Sequence, residues 1–313
     1  MKPLLNDQGR IKNNDRLGVI SKIVGFILIS VIIIYLSKKL YFGWNDIPFD
    51  KIELNYYFII LSFLGLLLSF TCSVSAWQMI LKALESRMSF KKSWWVITGS
   101  YLAKYIPGHI WSIGGRVYLC KTEGISEKIS GTAMILEMTA LLLGSLTAFC
   151  FTLPFLIKHG LPSWIWYLLV PIPFALVVFF SPLLPISLKW LASSFLKKEI
   201  KLDIKSAPLF MAFCLFAISA IIQGGAFFLL VRSFYSIEYR FLPDIIGIYN
   251  GSWAVGFLSF VAPGGLGIRE GALTVLSKFY IPLPMAIILS ALARLWMTLF
   301  EIIMALIGLK FRK

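Results

Sequence analysis

The sequence predicts an all-α polytopic membrane protein with about six full spans plus two Pro-Gly-broken re-entrant segments, up to eight crossings in all. Hydrophobic residues make up 58% of the 313 residues and charged residues only 14%, whereas a soluble domain carries about 25% charged residues. Several apolar runs reach the roughly 20 residues that a helix needs to cross a hydrocarbon core of about 30 Å. Helices satisfy their backbone polar groups internally, so they are the expected spanning elements.

The first half of the chain predicts three spans, at Ile20–Leu36, Tyr56–Ile80 and Ser130–Ile157. No small-residue cleavage motif follows the first apolar run, so we expect an uncleaved span rather than a signal peptide. Two apolar pieces, Trp94–Ile106 and Ile110–Cys120, lie between the second and third spans. Neither piece is long enough to cross the core, so together they are expected to form a re-entrant hairpin buried in protein.

The second half predicts spans at Trp164–Phe180, Ala207–Val231 and Pro284–Leu309. The segment 244–281 is apolar on both sides of a Pro-Gly break. It fits either one re-entrant hairpin or two tilted spans, and both alternatives leave the C-terminus on the same side.

Two basic, amphipathic stretches complete the pattern. Residues 81–93 and 186–198 carry lysines and arginines among apolar residues, and each is expected to form a helix on the membrane surface.

The formal net charge of +15 comes from Lys and Arg that gather in alternate loops. The positive-inside rule accounts for this pattern and places both termini in the cytoplasm. We therefore expect no nucleic-acid partner.

Proline-glycine breaks occur at matching places in the two halves, and the orientation makes these halves inverted relative to each other. We expect one integral membrane domain, 1–313, with repeat one at about 18–157 and repeat two at about 162–310.

Interrupted segments in inverted halves indicate a transporter site near the bilayer midplane. Their free N–H groups and helix N-termini suit an anion, and a neighbouring arginine offers phosphate a bidentate fork. The candidate residues for binding a lipid headgroup are Lys104, Pro107, Gly108, Gly114, Gly115, Arg116, Glu137, Pro263, Gly264, Gly265, Gly267, Arg269, Glu270 and Arg294.

Three charged residues, Glu137, Arg294 and Glu301, fall inside predicted spans. Each costs about 2.5–3.5 kcal/mol at a helix centre, so each should face a partner or a water-filled cavity. Glu137 and Arg294 occupy corresponding places in the two halves and are expected to meet. Two interpretations fit these charged residues. They line the path of a lipid headgroup, or they form a structural ion pair.

No catalytic motif is recognisable in the sequence. Four single cysteines and two histidines do not suggest a metal or cofactor site. An acidic loop holds Asp46, Asp50 and Glu53, and these carboxylates leave a membrane glycosyl- or phospholipid transferase open as an alternative. A non-transporting scaffold of an envelope synthesis complex is the other alternative.

Two motifs resemble the transmembrane region of lysylphosphatidylglycerol synthases: PGGLGIRE at Pro263–Glu270 and YLAKYIPGHIWSIGGRVYLCKTEGIS at Tyr101–Ser126. The resemblance implies a flippase-like membrane region without the soluble aminoacyl-transferase domain, in the plasma (inner) membrane of a bacterium or archaeon. It implies Arg116, Arg269 and Glu270 as phosphate-facing residues. Gly115 stands where many members carry an acidic residue.

Residues and resemblance together predict a lipid flippase. Its expected substrate is an anionic phospholipid or a polyprenyl-phosphate-linked lipid, and its expected role is in cell-envelope biogenesis. Membrane lipids are the expected partners, together with enzymes of envelope lipid or polysaccharide synthesis.

Overall fold

The computed structural model describes residues 54–103, 110–160, 204–259 and 267–311, together with the single residues 34, 38, 41, 162, 163, 167, 177, 179 and 265. Within these residues the regular structure is helical and contains no strand. The α-helices are α1 Tyr56–Ala83, α2 Phe90–Ala103, α3 Ile110–Thr122, α4 Glu127–Lys158, α5 Ser206–Phe234, α6 Leu242–Leu258, α7 Ile268–Ser277 and α8 Leu283–Leu309, and a 3-10 turn, Tyr239–Phe241, precedes α6.

Four of these helices, α1, α4, α5 and α8, are long and apolar enough to cross a membrane. They confirm the predicted spans at Tyr56–Ile80, Ser130–Ile157, Ala207–Val231 and Pro284–Leu309. The predicted span at Ile20–Leu36 lies outside the described residues, as do most of the span Trp164–Phe180 and the whole surface helix at 186–198. The total number of crossings, the re-entrant segments and the two repeats therefore stay predictions.

Side-chain caps explain where two of the spans begin. Asn55 Oδ1 accepts a hydrogen bond from the backbone N–H of Tyr57 at 3.1 Å, and Ser126 Oγ accepts one from Ile129 at 3.3 Å. Each bond satisfies one of the N–H groups that a helix start leaves without an intrahelical acceptor.

The expected surface helix at 81–93 is wrong. Helix α1 continues to Ala83, the chain turns at Glu85 with a φ of 57°, and α2 begins at Phe90. Leu81 and Leu84 are buried against the protein, and Gln78 Nε2 donates to the Met88 carbonyl at 2.8 Å across the turn. The apolar residues of this stretch thus belong to the protein core and not to a lipid-facing surface.

The chain forms two compact units. One comprises Met1–Ile47 and Val255–Ala291, and the other comprises Pro48–Ala254 and Leu292–Lys313. We call them the small unit and the large unit.

Small residues let α1 and α5 approach closely in the large unit. A Cβ placed on Gly65 of α1 would lie 2.8 Å from the Cβ of Ala226 on α5. Nearby, the Ser219 hydroxyl of α5 lies 2.8 Å from the Ser69 hydroxyl and 2.9 Å from the Ser73 hydroxyl, both on α1. Close backbones and interhelical hydroxyl bonds are the usual means by which helices associate in lipid.

Aromatic residues join α2 to the second half of α8. Trp94 Nε1 of α2 donates to the Met304 carbonyl of α8 at 3.2 Å. Phe70 of α1 contacts the rings of both Trp94 and Phe300 edge to face, with ring centroids 4.8 Å and 6.1 Å away. This packing brings the C-terminal part of α8 beside α2.

Candidate functional site

The candidate site is built on two helices that are too short to span a membrane. Helices α2 and α3 contain 14 and 13 residues, which makes each about 20 Å long. A Cβ on Gly99 of α2 would lie 2.9 Å from Leu119 Cδ1 of α3, so the two helices pack directly on each other. The predicted break between them, with Lys104, Pro107 and Gly108, lies outside the described residues.

A buried ion pair links α3 to the span α4. Arg116 donates through Nη1 to the Glu137 carboxylate and through Nε to the Ser100 hydroxyl on α2 at 2.9 Å. Arg116 is 6% exposed and Glu137 5% exposed. Burial of both charges makes their pairing obligatory, since an unpaired charge in this environment is strongly destabilising.

Two aromatic rings face the guanidinium of Arg116. Its Cζ lies 5.3 Å from the ring centroid of Trp77 on α1 and 6.0 Å from that of Tyr101 on α2. Cation–π attraction adds to the ion pair at such distances. The Trp77 ring is fully buried, and within the part of the chain that the structure describes its Nε1–H has no hydrogen-bond acceptor.

A second buried carboxyl group belongs to the same neighbourhood. Glu301 of α8 is 4% exposed, and Tyr101 interacts electrostatically with Arg116, Glu137 and Glu301. At about 1.5 Å per residue, Glu137 lies about 15 Å from the start of α4 and Glu301 about 12 Å from the end of α8. The two carboxyl groups therefore lie at similar distances from the nearer ends of their helices. We call this set the Arg116 cluster, and it consists of Trp77, Ser100, Tyr101, Arg116, Glu137 and Glu301.

The structure brings together residues that the sequence analysis had kept apart. Arg116 was assigned to a headgroup at the break and Glu137 to a meeting with Arg294, but Arg116 is the ion-pair partner of Glu137. Arg294 is half-buried on α8, and its meeting with Glu137 stays a prediction. Both Arg116 and Glu137 were candidates. Arg116 and Glu137 carry opposite charges inside apolar stretches of the same predicted repeat, and this feature of the sequence could have predicted their ion pair.

Gly114 and Gly115 lie inside α3 rather than at a chain break. Gly114 is exposed, and a Cβ placed there would meet no atom within 4 Å. Gly115 is half-buried. Neither glycine therefore provides the free backbone N–H groups expected of a helix terminus, because helix-interior N–H groups are bonded to preceding carbonyls.

The second motif lies in the small unit, where tight backbone packing explains two of its glycines. Gly265 and Gly267 have φ angles of 67° and 79°, a region that other residues rarely adopt. A Cβ on Gly265 would lie 2.7 Å from the Gly256 carbonyl oxygen, and one on Gly256 would lie 2.7 Å from the Cβ of Arg269. Gly256 was missed by the sequence analysis. Pro263 and Gly264 lie outside the described residues.

Glu270 caps the helix that this motif opens. Its Oε2 accepts a hydrogen bond from the Gly267 backbone N–H at 2.7 Å, at the start of α7. A carboxylate is also favoured there by the positive end of the helix dipole. Glu270 thus takes one of the N–H groups that the sequence analysis had assigned to phosphate, while Arg269 is half-buried beside it.

The Glu270→Ala variant is expected to unfold with a free energy about 0.5–2 kcal/mol lower than the wild type, because α7 loses its N-terminal cap. Thermal unfolding of the purified protein in detergent measures the difference. Glu238→Ala, which removes an exposed carboxylate paired with nearby Arg240, is the matched control and should change stability by less than about 0.5 kcal/mol. Equal losses in the two variants would contradict the capping role.

The described residues contain no group of histidine, cysteine, aspartate or glutamate side chains that could hold a metal ion.

Apolar spanning helices with an ion pair buried among them define a polytopic α-helical membrane protein that keeps charge inside its membrane region. The family model described as "Lysylphosphatidylglycerol synthase TM region" matches residues 22–305. The chain belongs to this family, and the resemblance noted at the two motifs is confirmed. Comparison with curated proteins gives no match.

Proposed function

We propose that the protein moves an anionic phospholipid or a polyprenyl-phosphate-linked lipid between the leaflets of a plasma membrane. The observation that carries the proposal is the Arg116 cluster, in which ionised groups are buried among apolar helices. Membership of a family named for a lipid synthase supports a lipid as the substrate.

The charges of the cluster favour a transport role over a purely structural one. Ionisable groups inside membrane helices are expensive and usually mark a path for a substrate or ion. A well-packed apolar substitute often stabilises a protein as well as a buried ion pair does, so packing alone does not call for Arg116 and Glu137. A guanidinium also matches the geometry of a phosphate headgroup.

The mechanism we propose is alternating access between two inverted halves, in which the two motif arginines engage the headgroup. Arg116 would hold the phosphate in one state, and Arg269 would hold it in the other. Enzymes of envelope lipid or polysaccharide synthesis would be its functional partners.

Translocation of labelled lipids in vesicles containing the purified protein tests this function. The panel is phosphatidylglycerol, aminoacylated phosphatidylglycerol and a polyprenyl phosphate. We expect movement of at least one lipid, and a decrease of about 10–100-fold in Arg269→Ala and in Arg116→Lys, because a charge-assisted hydrogen bond contributes about 1.5–3 kcal/mol. Arg87, an exposed arginine of the α1–α2 turn, provides the matched controls Arg87→Ala and Arg87→Lys, which should move lipid normally.

Absence of lipid movement from folded protein would contradict the proposal. In that case Asp50→Asn would be tested for loss of transferase product. The alternative hypothesis, a membrane transferase, rests on the carboxylates of Asp46, Asp50 and Glu53. These three residues lie outside the described residues. A scaffold would instead tolerate charge removal at Arg269 and Arg294 as long as the protein folds.

A further inference from the structure

The Arg116 cluster is already electrically neutral at its centre before any lipid arrives. The single positive charge of Arg116 is paired with the carboxylate of Glu137, and both side chains are nearly inaccessible. A phosphate that reaches Arg116 would therefore be a second anion for one cation in a poorly solvated site. Two anions that share such a site do not both stay ionised, because like charges and burial both favour protonation of one of them.

A second observation concerns a hydrogen-bond donor beside the guanidinium of Arg116. Trp77 Nε1–H is fully buried and finds no acceptor among the described residues, although buried donors are almost always satisfied. The Trp77 ring is the one that lies against the guanidinium of Arg116. An oxygen of a bound phosphate would satisfy this donor while pairing with Arg116.

Resting on the proposed function, we propose that the Arg116–Glu137 pair couples lipid movement to protons, and that one phosphodiester anion and one proton move together. A hydronium ion from the aqueous phase transfers its proton to the Glu137 carboxylate: one O–H bond of the hydronium breaks, one forms on Glu137, and water is left. The ion pair with Arg116 then breaks. The phosphodiester anion then takes the place of the carboxylate at Arg116. On release the steps run in reverse, and the proton leaves Glu137 as the ion pair re-forms.

Other groups around Glu137 are compatible with this exchange. Helix α3 presents Arg116 and Cys120, and Cys120 interacts electrostatically with both members of the pair. Tyr101 of α2 and Glu301 of α8 complete the ionisable groups of the cluster. Helix α5 contacts α4 at Gly144 through the backbone of Phe216 and Ala217.

The charge balance makes a distinctive prediction. The empty site is neutral because Arg116 and Glu137 are paired, and the loaded site is neutral because a proton and a singly charged headgroup entered together. Neither form moves net charge, so a pH gradient should drive the lipid and a membrane potential should not. At equilibrium, each pH unit should enrich labelled phosphatidylglycerol about tenfold in the more alkaline leaflet, since one pH unit corresponds to about 1.36 kcal/mol.

The experiment uses vesicles that contain the full-length protein and labelled phosphatidylglycerol, with empty vesicles to measure passive movement. Either a pH gradient or a potassium diffusion potential is imposed. The wild type should respond to the pH gradient alone. In Glu137→Gln the site cannot take the proton, so movement should lose its response to pH and become sensitive to the potential.

Two further variants assign the effect to one carboxyl group. Glu127→Gln, at the exposed start of the same helix, should keep the response to pH, and Glu301→Gln tests the second buried carboxyl group of the cluster. Loss of the response in Glu301→Gln with retention in Glu137→Gln would overturn the assignment. If Glu137→Gln fails to fold, the wild-type comparison of the two gradients still tests proton coupling. A response of lipid movement to the membrane potential would contradict transport without net charge.

The outcomes separate this inference from the proposed function. Lipid movement that ignores the pH gradient would overturn proton coupling and leave the flippase function standing. No movement of phosphatidylglycerol, aminoacylated phosphatidylglycerol or polyprenyl phosphate in any wild-type condition would overturn both.

Discussion

Replacing Arg116 with leucine is expected to lower the free energy of unfolding by about 3–5 kcal/mol, because the buried Glu137 carboxylate would lose the cation with which it forms an ion pair. Arg116 also donates to Ser100 and lies against the Trp77 ring. The substitution thus removes polar contacts of α3 with α1, α2 and α4 at once. Thermal unfolding in detergent, followed by tryptophan fluorescence, would measure the loss.

The double variant Arg116→Leu with Glu137→Leu should recover most of this stability, since it removes both charges and leaves an apolar contact. The control is Lys121→Leu, which breaks an exposed ion pair with Glu127 between the same two helices, at 64% and 62% exposure. Exposed pairs contribute about 0–1 kcal/mol. A loss in Lys121→Leu as large as that in Arg116→Leu would show that burial is not the cause.

Substituting alanine for Gly224 is expected to destabilise the protein by about 1–3 kcal/mol, because the added methyl group overpacks a closed helix interface. Its Cβ would lie 2.8 Å from the Cα of Ile246 on α6 and 3.0 Å from Asn250 Nδ2. The amide of Asn250 has no freedom to move away, since it donates to the Ala220 and Ile246 carbonyls at 3.0 Å and 2.9 Å. Helices α5 and α6 would have to separate.

The adjacent Gly225 offers a control with the same chemical change in the same helix. A Cβ at Gly225 would meet no atom within 4 Å, so Gly225→Ala should be neutral or should stabilise the helix by up to about 1 kcal/mol. Chemical or thermal unfolding of the two variants measures the difference. Equal effects at the two positions would contradict close packing of α5 against α6 as the reason for Gly224.

The stability and transport predictions concern the same side chains but have different signatures. Arg116→Leu should reduce stability whether or not the protein moves lipid. In Glu137→Gln, lipid movement should stop responding to the pH gradient and start responding to the membrane potential. A purely structural ion pair would not produce this change. The two experiments together therefore distinguish a cluster that only holds helices together from one that also carries a proton.

The spanning helices were predictable because bilayer length and apolar composition are local properties of the sequence. The starts and ends of α1, α4, α5 and α8 lie within a few residues of the predicted bounds. The surface helix at 81–93 was predicted wrongly because its composition fits lipid and protein contacts equally well. Only the packing of Leu81 and Leu84 in the core distinguishes the two.

The candidate residues were predictable by type, but their partners were not. Charges inside apolar stretches and glycines beside prolines are visible in the sequence, and they singled out Arg116, Glu137, Gly265 and Gly267. Gly256 had no such signal, because its role depends on the approach of Arg269 and Gly265 within the small unit.

The sequence by itself determined that this chain is a helical membrane protein of its family. Hydropathy and the motif PGGLGIRE are properties of neighbouring residues in the sequence and do not depend on the fold. Tertiary structure decided that Arg116 pairs with Glu137, that Trp77 covers the guanidinium and that Glu270 caps α7. The physical reason is distance along the chain. A side chain in a low-dielectric interior takes the oppositely charged or hydrogen-bonding group that packing brings within reach, and helix packing is not encoded by any local period.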